Sequence, residues 1–345
     1  MTSRSPQNLL TDIAGLSVGH ATDLALGSGV TAILFDEAAV ASVAVRGGAP
    51  GGRDVGLLDT DMTIERVDAI VLSGGSAFGL DAGGGVQAAL REAGRGFLLR
   101  GMRIPLAPQA ILFDLVNGGD KEWGRFSPYR DLGHAAAEAA IQAGSGAGFA
   151  LGTIGAGTGA TTATLKGGLG SASAVTSTGH TIAAIVAVNA VGTATIGDGP
   201  HFWAAPFEQA GEFGGRGWPA KIDPADLTLR LKGSPSPNST IGTATTIGLI
   251  VTDAILTKPQ AKRLAIMADD GLARAILPAH APNDGDTIFA AATGRLPLAD
   301  PIRDLTELGH VATQVMARAI ARGVYEATAL PYPGAVKAWR DRFGG

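Results

Sequence analysis

The chain has no cysteine, which removes thiol nucleophiles, disulfides and Cys-ligated zinc or iron–sulfur sites from consideration. Charge is also scarce. Asp, Glu, Lys and Arg make up 17% of the 345 residues, against roughly 25% in typical soluble domains, which suits a protein with a buried subunit interface. With a net charge of −4 and no Lys or Arg cluster interleaved with aromatics, nucleic acid is not an expected partner. No run approaches the roughly 20 apolar residues of a membrane span, because Gly, Asp or Arg interrupts each candidate. Met1 to His20 lacks a basic segment followed by a continuous apolar run. Neither a signal peptide nor a membrane partner is therefore expected, and the cytoplasm is the default compartment. Glycine is plentiful at 51 residues, roughly twice average usage, so much of the backbone is tightly turned or closely packed.

Short β-branched and Ala-rich runs read as buried strands: Val30 to Phe35, Ala39 to Val45, Ala69 to Leu72, Ile182 to Val188, Thr193 to Ile196, Leu227 to Leu231, Ile247 to Val251 and Thr287 to Ala292. Helical spacing recurs at Gly133 to Ala143 and at Gln260 to Leu277, where Ala261, Leu264, Ala265, Ala268, Leu272, Ala275 and Ile276 share one face. Thr257 and Gln260 have capping-box spacing, with Pro259 in the first turn. A last helix is expected over Arg303 to Arg322, stopped by Gly323. Lys121 to Arg130 and His201 to Trp218 read as long excursions. Grouped strands with intervening helices predict α+β layers rather than a regular βαβ alternation.

Most familiar motifs fail on inspection. Gly155-Ala156-Gly157-Thr158-Gly159 lacks the last glycine of a dinucleotide fingerprint, and Lys166 is followed by Gly167 where a phosphate-binding loop needs Ser or Thr. Gly74 to Gly79 misses the nucleophile-elbow spacing, because Phe78 stands where the second glycine belongs. His20, His134, His180, His201, His280 and His310 are scattered singly, with no pair at metal-ligand spacing, and most are expected to be structural or exposed.

The informative segment runs from Lys232 through Ser234-Pro235-Ser236-Pro237-Asn238 into Ser239, Thr240, Thr243, Thr245 and Thr246, and then directly into the apolar strand Ile247 to Val251. A hydroxyl at the start of a buried strand, reached through a proline-rich linker, can become a new N-terminus after self-cleavage. Without a nearby His, a Ser or Thr nucleophile needs another base. The freed α-amine, with an unperturbed pKa of about 7.7–8.0, supplies one. The bland reading is a polar loop entering a strand. Three other places bear on the choice. Lys166 sits in an uncharged Gly- and Thr-rich stretch, Asp284-Gly285-Asp286 precedes a strand, and Asn189 follows one. A buried lysine needs a partner, two acids around a glycine can hold a lysine or ammonium, and an amide can donate to an oxyanion. Two of these have a structural alternative: a turn with solvated carboxylates for the Asp pair, and a turn former for Asn189.

Taken in order, Val18-Gly19-His20, Arg46-Gly47-Gly48, Ser73 to Ala82 (SGGSAFGLDA), Gly155 to Gly168, Val188-Asn189-Ala190-Val191-Gly192, Thr245 to Asp253 (TTIGLIVTD) and Asp284 to Thr287 make the chain similar to the DmpA family of self-processing aminopeptidases, which includes β-peptidyl aminopeptidases and nylon-oligomer hydrolases. The resemblance spans nearly the whole chain. It implies a four-layer αββα sandwich over residues 1–345, like that of the ornithine acetyltransferases. It also implies a precursor that cuts itself into a long N-terminal and a short C-terminal piece, 1–244 and 245–345. Ungapped matching puts the nucleophile at Thr245; the alternative is Ser239, whose Asn238-Ser239 pair demands a six-residue insertion. By resemblance Lys166, Asp284 and Asp286 surround the nucleophile, and Asn189 helps bind the oxyanion.

The implied substrates are short peptides or amides with a free amino end. The chemistry requires no metal and no organic cofactor, and the implied assembly is a homo-oligomer of the cleaved pair, such as a tetramer. Two departures from the family stand out: Ala244 precedes the cut where Asn or Gly is common, and Phe113 stands where many relatives carry a tyrosine. Two rival readings are an acyltransferase on the same fold and a non-catalytic small-molecule-binding protein that never matures.

Overall fold

The computed structural model describes residues 6–233 and 244–344. Eleven strands occur among them: β1 (Leu16–Asp23), β2 (Ser28–Val45), β3 (Gly52–Arg53), β4 (Arg66–Ser73), β5 (Phe97–Leu99), β6 (Met102–Ile104), β7 (Gln109–Ile111), β8 (Leu169–Val175), β9 (Thr181–Asn189), β10 (Thr245–Ala254) and β11 (Thr287–Leu296). The α-helices are α1 (Ser76–Gly79), α2 (Ala82–Glu92), α3 (Tyr129–Ala143), α4 (Lys258–Ala275), α5 (Pro301–Tyr325) and α6 (Trp339–Phe343). None of the described helices is long and apolar enough to cross a membrane.

The strands hydrogen-bond in the order β3-β7-β4-β2-β11-β10-β9-β8, with β1 also on β2. These nine strands are one continuous sheet, and the long strand β2 links its two halves. Its first half pairs with β1 and β4 and its second half with β11, with an irregularity between Leu34 and Ala39. The alternation of side chains then sorts the core into three slabs. In β9, Ile182, Ala184, Val186 and Val188 join α4 and α5 in one cluster, while Ala183, Ile185 and Ala187 pack against Ile33, Phe35, Ile70 and Leu72 of the other half of the sheet. On the far side, Val30, Ala32, Leu34, Ala69 and Val71 meet α2 and α3. The result is an αββα sandwich, as the resemblance implies. Both faces of the central strands are buried, which is why β9 and β10 read as unbroken apolar runs.

Helix α4 starts as expected. Thr257 accepts a hydrogen bond from the Gln260 amide, and the Gln260 side chain accepts one from the Thr257 amide. Several expectations need correction. Thr193 to Ile196 is not a strand; it makes only isolated bridges to Leu277 and Phe202. Leu227 to Leu231 is not a strand either, since Pro224–Leu227 forms a 3-10 turn capped by Asp223. Leu227 and Leu229 lie exposed, so no sheet is there to bury an alternating face. Val30 to Phe35 and Ala39 to Val45 are one strand. Helix α5 continues past Gly323 to Tyr325, because Gly323 serves a close crossing over Gly170 rather than a helix stop.

Candidate active site

Thr245 is the first residue of β10 and pairs directly with Asn189, the last residue of β9. Both residues are buried. The register is pinned at the far end of the strand, where Thr252 Oγ1 donates to the Thr181 carbonyl (2.9 Å) and Asp253 accepts from the Thr181 amide (2.9 Å). The Thr-Asp pair thereby fixes the height at which Thr245 emerges.

Thr245 Oγ1 donates to the carbonyl oxygen of Ala244 at 2.5 Å, and the Gly285 amide donates to the same oxygen at 3.1 Å. A side chain at Gly285 would put its Cβ 2.6 Å from Thr245 Oγ1, so glycine is required for the hydroxyl to lie where it does. Asp286 Oδ1 accepts from the Thr246 amide (2.7 Å), and its Oδ2 accepts from the His280 amide (3.1 Å) and lies 2.9 Å from His280 Nδ1. Arg46-Gly47-Gly48 holds this turn in place: Arg46 and Gly47 donate amides to the Asp286 carbonyl, and Ala49 donates to that of Asp284. Burial, and then the adjacent Asp286 carboxylate, push Asp284 up to about 8.

The Asn189 side chain has a fixed sense. Its Oδ1 accepts from the Thr161 amide (3.0 Å) and from Lys232 Nζ (2.5 Å), while Nδ2 donates to the Phe113 carbonyl (2.9 Å). With Oδ1 held by two donors, the amide cannot be turned over without losing both. Among the described residues Nδ2 makes that one bond, leaving its second hydrogen for a ligand oxygen.

Lys166 is fully buried, and its ammonium donates to three backbone carbonyls, those of Gly157 (3.1 Å), Ala160 (2.8 Å) and Gly167 (2.7 Å). The required partner is therefore a ring of carbonyls. Among the described residues no carboxylate lies within ion-pair distance of it. Desolvation pulls it down to about 7, opposed by the field of Asp114. Lys166 also lines a cavity of about 750 Å³ together with Phe113, Asp114, Thr161, Lys232 and Tyr332. Asn189 adjoins this cavity through Thr161 and Lys232.

Thr245, Asn189, Asp284 and Asp286 thus meet at one place, with Lys166 one layer away behind the loop that orients Asn189. Ser239 lies outside the described residues. Sequence reasoning missed Lys232, whose Nζ also donates to the Thr161 carbonyl. Loss of hydration draws Lys232 down to about 7 as well, against the pull of Asp114 and Asp284. It also missed Asp114, buried and held by the Gly75 amide and the Ser28 hydroxyl, both at 2.7 Å. His280 was set aside as one of six isolated histidines. The one signal for it was its place six residues before Asp286.

Residues 8–336 match peptidase family S58. An uncharacterized aminopeptidase of Mycobacterium bovis is 39% identical, over 98% of each chain. Among solved structures, a β-aminopeptidase from Burkholderia sp. superposes with a TM-score of 0.71 at 22% identity, covering 99% of this chain and 93% of that one. The L-aminopeptidase D-Ala-esterase/amidase of Ochrobactrum anthropi, a variant of the Ntn-hydrolase fold, gives 0.65 at 19% identity, covering 97% and 92%. These two likenesses establish the fold.

Proposed function

The chain belongs to peptidase family S58 and is a hydrolase, and from that premise we propose that it matures by cutting itself between Ala244 and Thr245 and then acts as an N-terminal-nucleophile aminopeptidase or amidase. The observation that carries the reading is the Thr245 hydroxyl seated on the carbonyl of the bond it would cut. In maturation Thr245 Oγ1 adds to the Ala244 carbonyl carbon, and the C–N bond breaks as the hydroxyl proton passes to the departing nitrogen. Water then cleaves the resulting ester, leaving an Ala244 carboxylate and a free α-amine on Thr245. The Gly285 amide, already on the Ala244 oxygen, stabilises the negative charge that develops there.

In turnover the α-amine accepts the Oγ1 proton as that oxygen attacks a substrate amide. The second Nδ2 hydrogen of Asn189 faces the new oxyanion, a donor worth about 3 kcal/mol when aligned. The proton passes to the leaving amine, and water releases the acyl group. Asp284 and Asp286 set the charge around the α-amine. Lys166 gathers the carbonyls of the loop whose Thr161 amide fixes Asn189. The substrates proposed are short peptides or amides with a free amino end, in keeping with the aminopeptidase names of the relatives.

Denaturing gel electrophoresis with N-terminal sequencing tests this. Two bands are expected, the smaller beginning at Thr245. Thr245→Ala should remain one band and be inactive, while Ser239→Ala should process normally. Processing lost only in the Ser239 variant would move the nucleophile there.

A further inference from the structure

Beyond the Asp284–Asp286 pair a line of charged groups continues away from Thr245. His280 lies in the connection between α4 and β11, and its two ring nitrogens face two different carboxylates. Nδ1 is 2.9 Å from Asp286 Oδ2, and Nε2 is 3.3 Å from Asp269 Oδ2 on α4. Asp269 Oδ2 in turn lies 3.8 Å from Arg46 Nε, at the end of β2, whose side chain is half-exposed. The other oxygen of Asp269 is buried with no partner among the described residues. His280 also has a left-handed backbone (φ 58°), uncommon for a residue other than glycine. That conformation lets its amide and its ring bond the same Asp286 oxygen. Asp286 is therefore a strut between the Thr246 amide and His280.

Building on the proposed Thr245 chemistry, we propose that His280, clamped between Asp286 and Asp269, is a positioning residue that holds the Asp284–Asp286 pair in place beside Thr245 and offsets its negative charge. Among the described residues, the charged groups that face it are Asp284 and Asp286 from the turn before β11 and Asp269 from α4, with Asp270 of α4 and Arg46, just after β2, acting on Asp269. Burial lowers the imidazole, but the hydrogen bond to Asp286 and the charges of Asp269, Asp286 and Asp284 outweigh it, and the net shift is upward. Asp269 is pushed up to about 6, chiefly by burial. Among the described residues, the imidazolium is the positive group set directly between Asp269 and Asp286.

His280→Asn separates charge from shape. Asn tolerates the left-handed backbone and offers an amide donor near the Nδ1 position, but it carries no charge. Measured against pH on a short amide, kcat is expected to fall about tenfold, the difference between a charged and a neutral hydrogen bond, with KM within about twofold of wild type. Both limbs of the pH profile should move to higher pH, because loss of a positive charge makes each neighbouring group hold its proton longer. An unchanged profile and kcat would overturn the proposal. A second readout needs no activity: NMR titration of the His280 ring in the uncut Thr245→Ala chain. The expected midpoint lies above that of a free imidazole and drops in Thr245→Ala/Asp269→Asn. A midpoint near 6.5, indifferent to Asp269→Asn, also defeats it. Should wild type prove uncut and inactive, the Thr245 reading fails by itself, and the ring titration still decides the case for His280.

Discussion

Gly285→Ala probes the placement of the Thr245 hydroxyl with a single methyl group. The added Cβ would stand 2.6 Å from Thr245 Oγ1 and 3.1 Å from both Thr245 Cγ2 and the Ala49 carbonyl oxygen. Ordinary van der Waals separation is about 3.5 Å, so either the hydroxyl or the 284–286 turn has to retreat by roughly 0.5–1 Å. Displacing a reacting atom by about 1 Å can cost on the order of a hundredfold in rate, and crowding a packed site costs about 1–3 kcal/mol in stability. The expected outcome is a self-cleavage half-time about a hundredfold longer than wild type in a protein that remains folded. A time course of intact mass from freshly made chain reads the first quantity, and thermal denaturation reads the second. Gly56→Ala is the control, since a Cβ there meets nothing within 4 Å and should leave cleavage unchanged. If Gly285→Ala cleaves as fast as wild type, Thr245 Oγ1 does not act from the position described, and its contact with the Ala244 carbonyl is incidental to cleavage.

Two further outcomes follow from the same geometry. Asp284 is raised in the folded protein to about 8, above its unfolded value of about 3.9. Its contribution to stability is therefore fully present below pH 4 and is lost as pH rises through 8. Asp284→Asn should gain stability relative to wild type across that window, read by urea denaturation at a series of pH values; a difference that does not change with pH refutes the assignment. Lys232→Met removes one of the two donors to Asn189 Oδ1 and an ammonium from the cavity wall, so the Asn189 amide, left with the Thr161 amide on Oδ1, should be held less firmly. Its side-chain NMR signals should broaden and kcat fall by roughly tenfold, the scale of one charge-assisted hydrogen bond; sharp signals with unaltered kcat contradict this.

What could be read from the sequence was whatever depended on period and local chemistry. Strand β9 was legible because both its faces are buried, and α4 because Thr257 and Gln260 cap each other. Strand β8, Leu169 to Val175, was missed because α5 lies so close that a Cβ at Gly170 would sit 1.8 Å from the Ala319 carbonyl oxygen. Its residues are accordingly small and give little hydrophobic signal. Helix α2 was hidden by Gly83, Gly84 and Gly85, which carry the poorest helix propensity short of proline. At the site, Asn189 and the Asp284–Asp286 pair stood out because each stands at the end of a readable strand, whereas Thr245 was singled out from its neighbouring hydroxyls by the family resemblance. His280 could not, because its meaning depends on Asp269, eleven positions earlier on a helix face. Lys232 was read as part of an exposed linker, and only tertiary structure returns its ammonium to Asn189.

The strand that begins with Thr245 occupies an interior slot, antiparallel to β9 on one side and parallel to β11 on the other. Severing the backbone at its first residue therefore liberates nothing. The smaller fragment would stay laced into a sheet that neither fragment can complete alone, and the two should melt and separate in one transition whose midpoint falls on dilution. Maturation in such an architecture changes the chemistry of one terminus and leaves the scaffold that aims it intact.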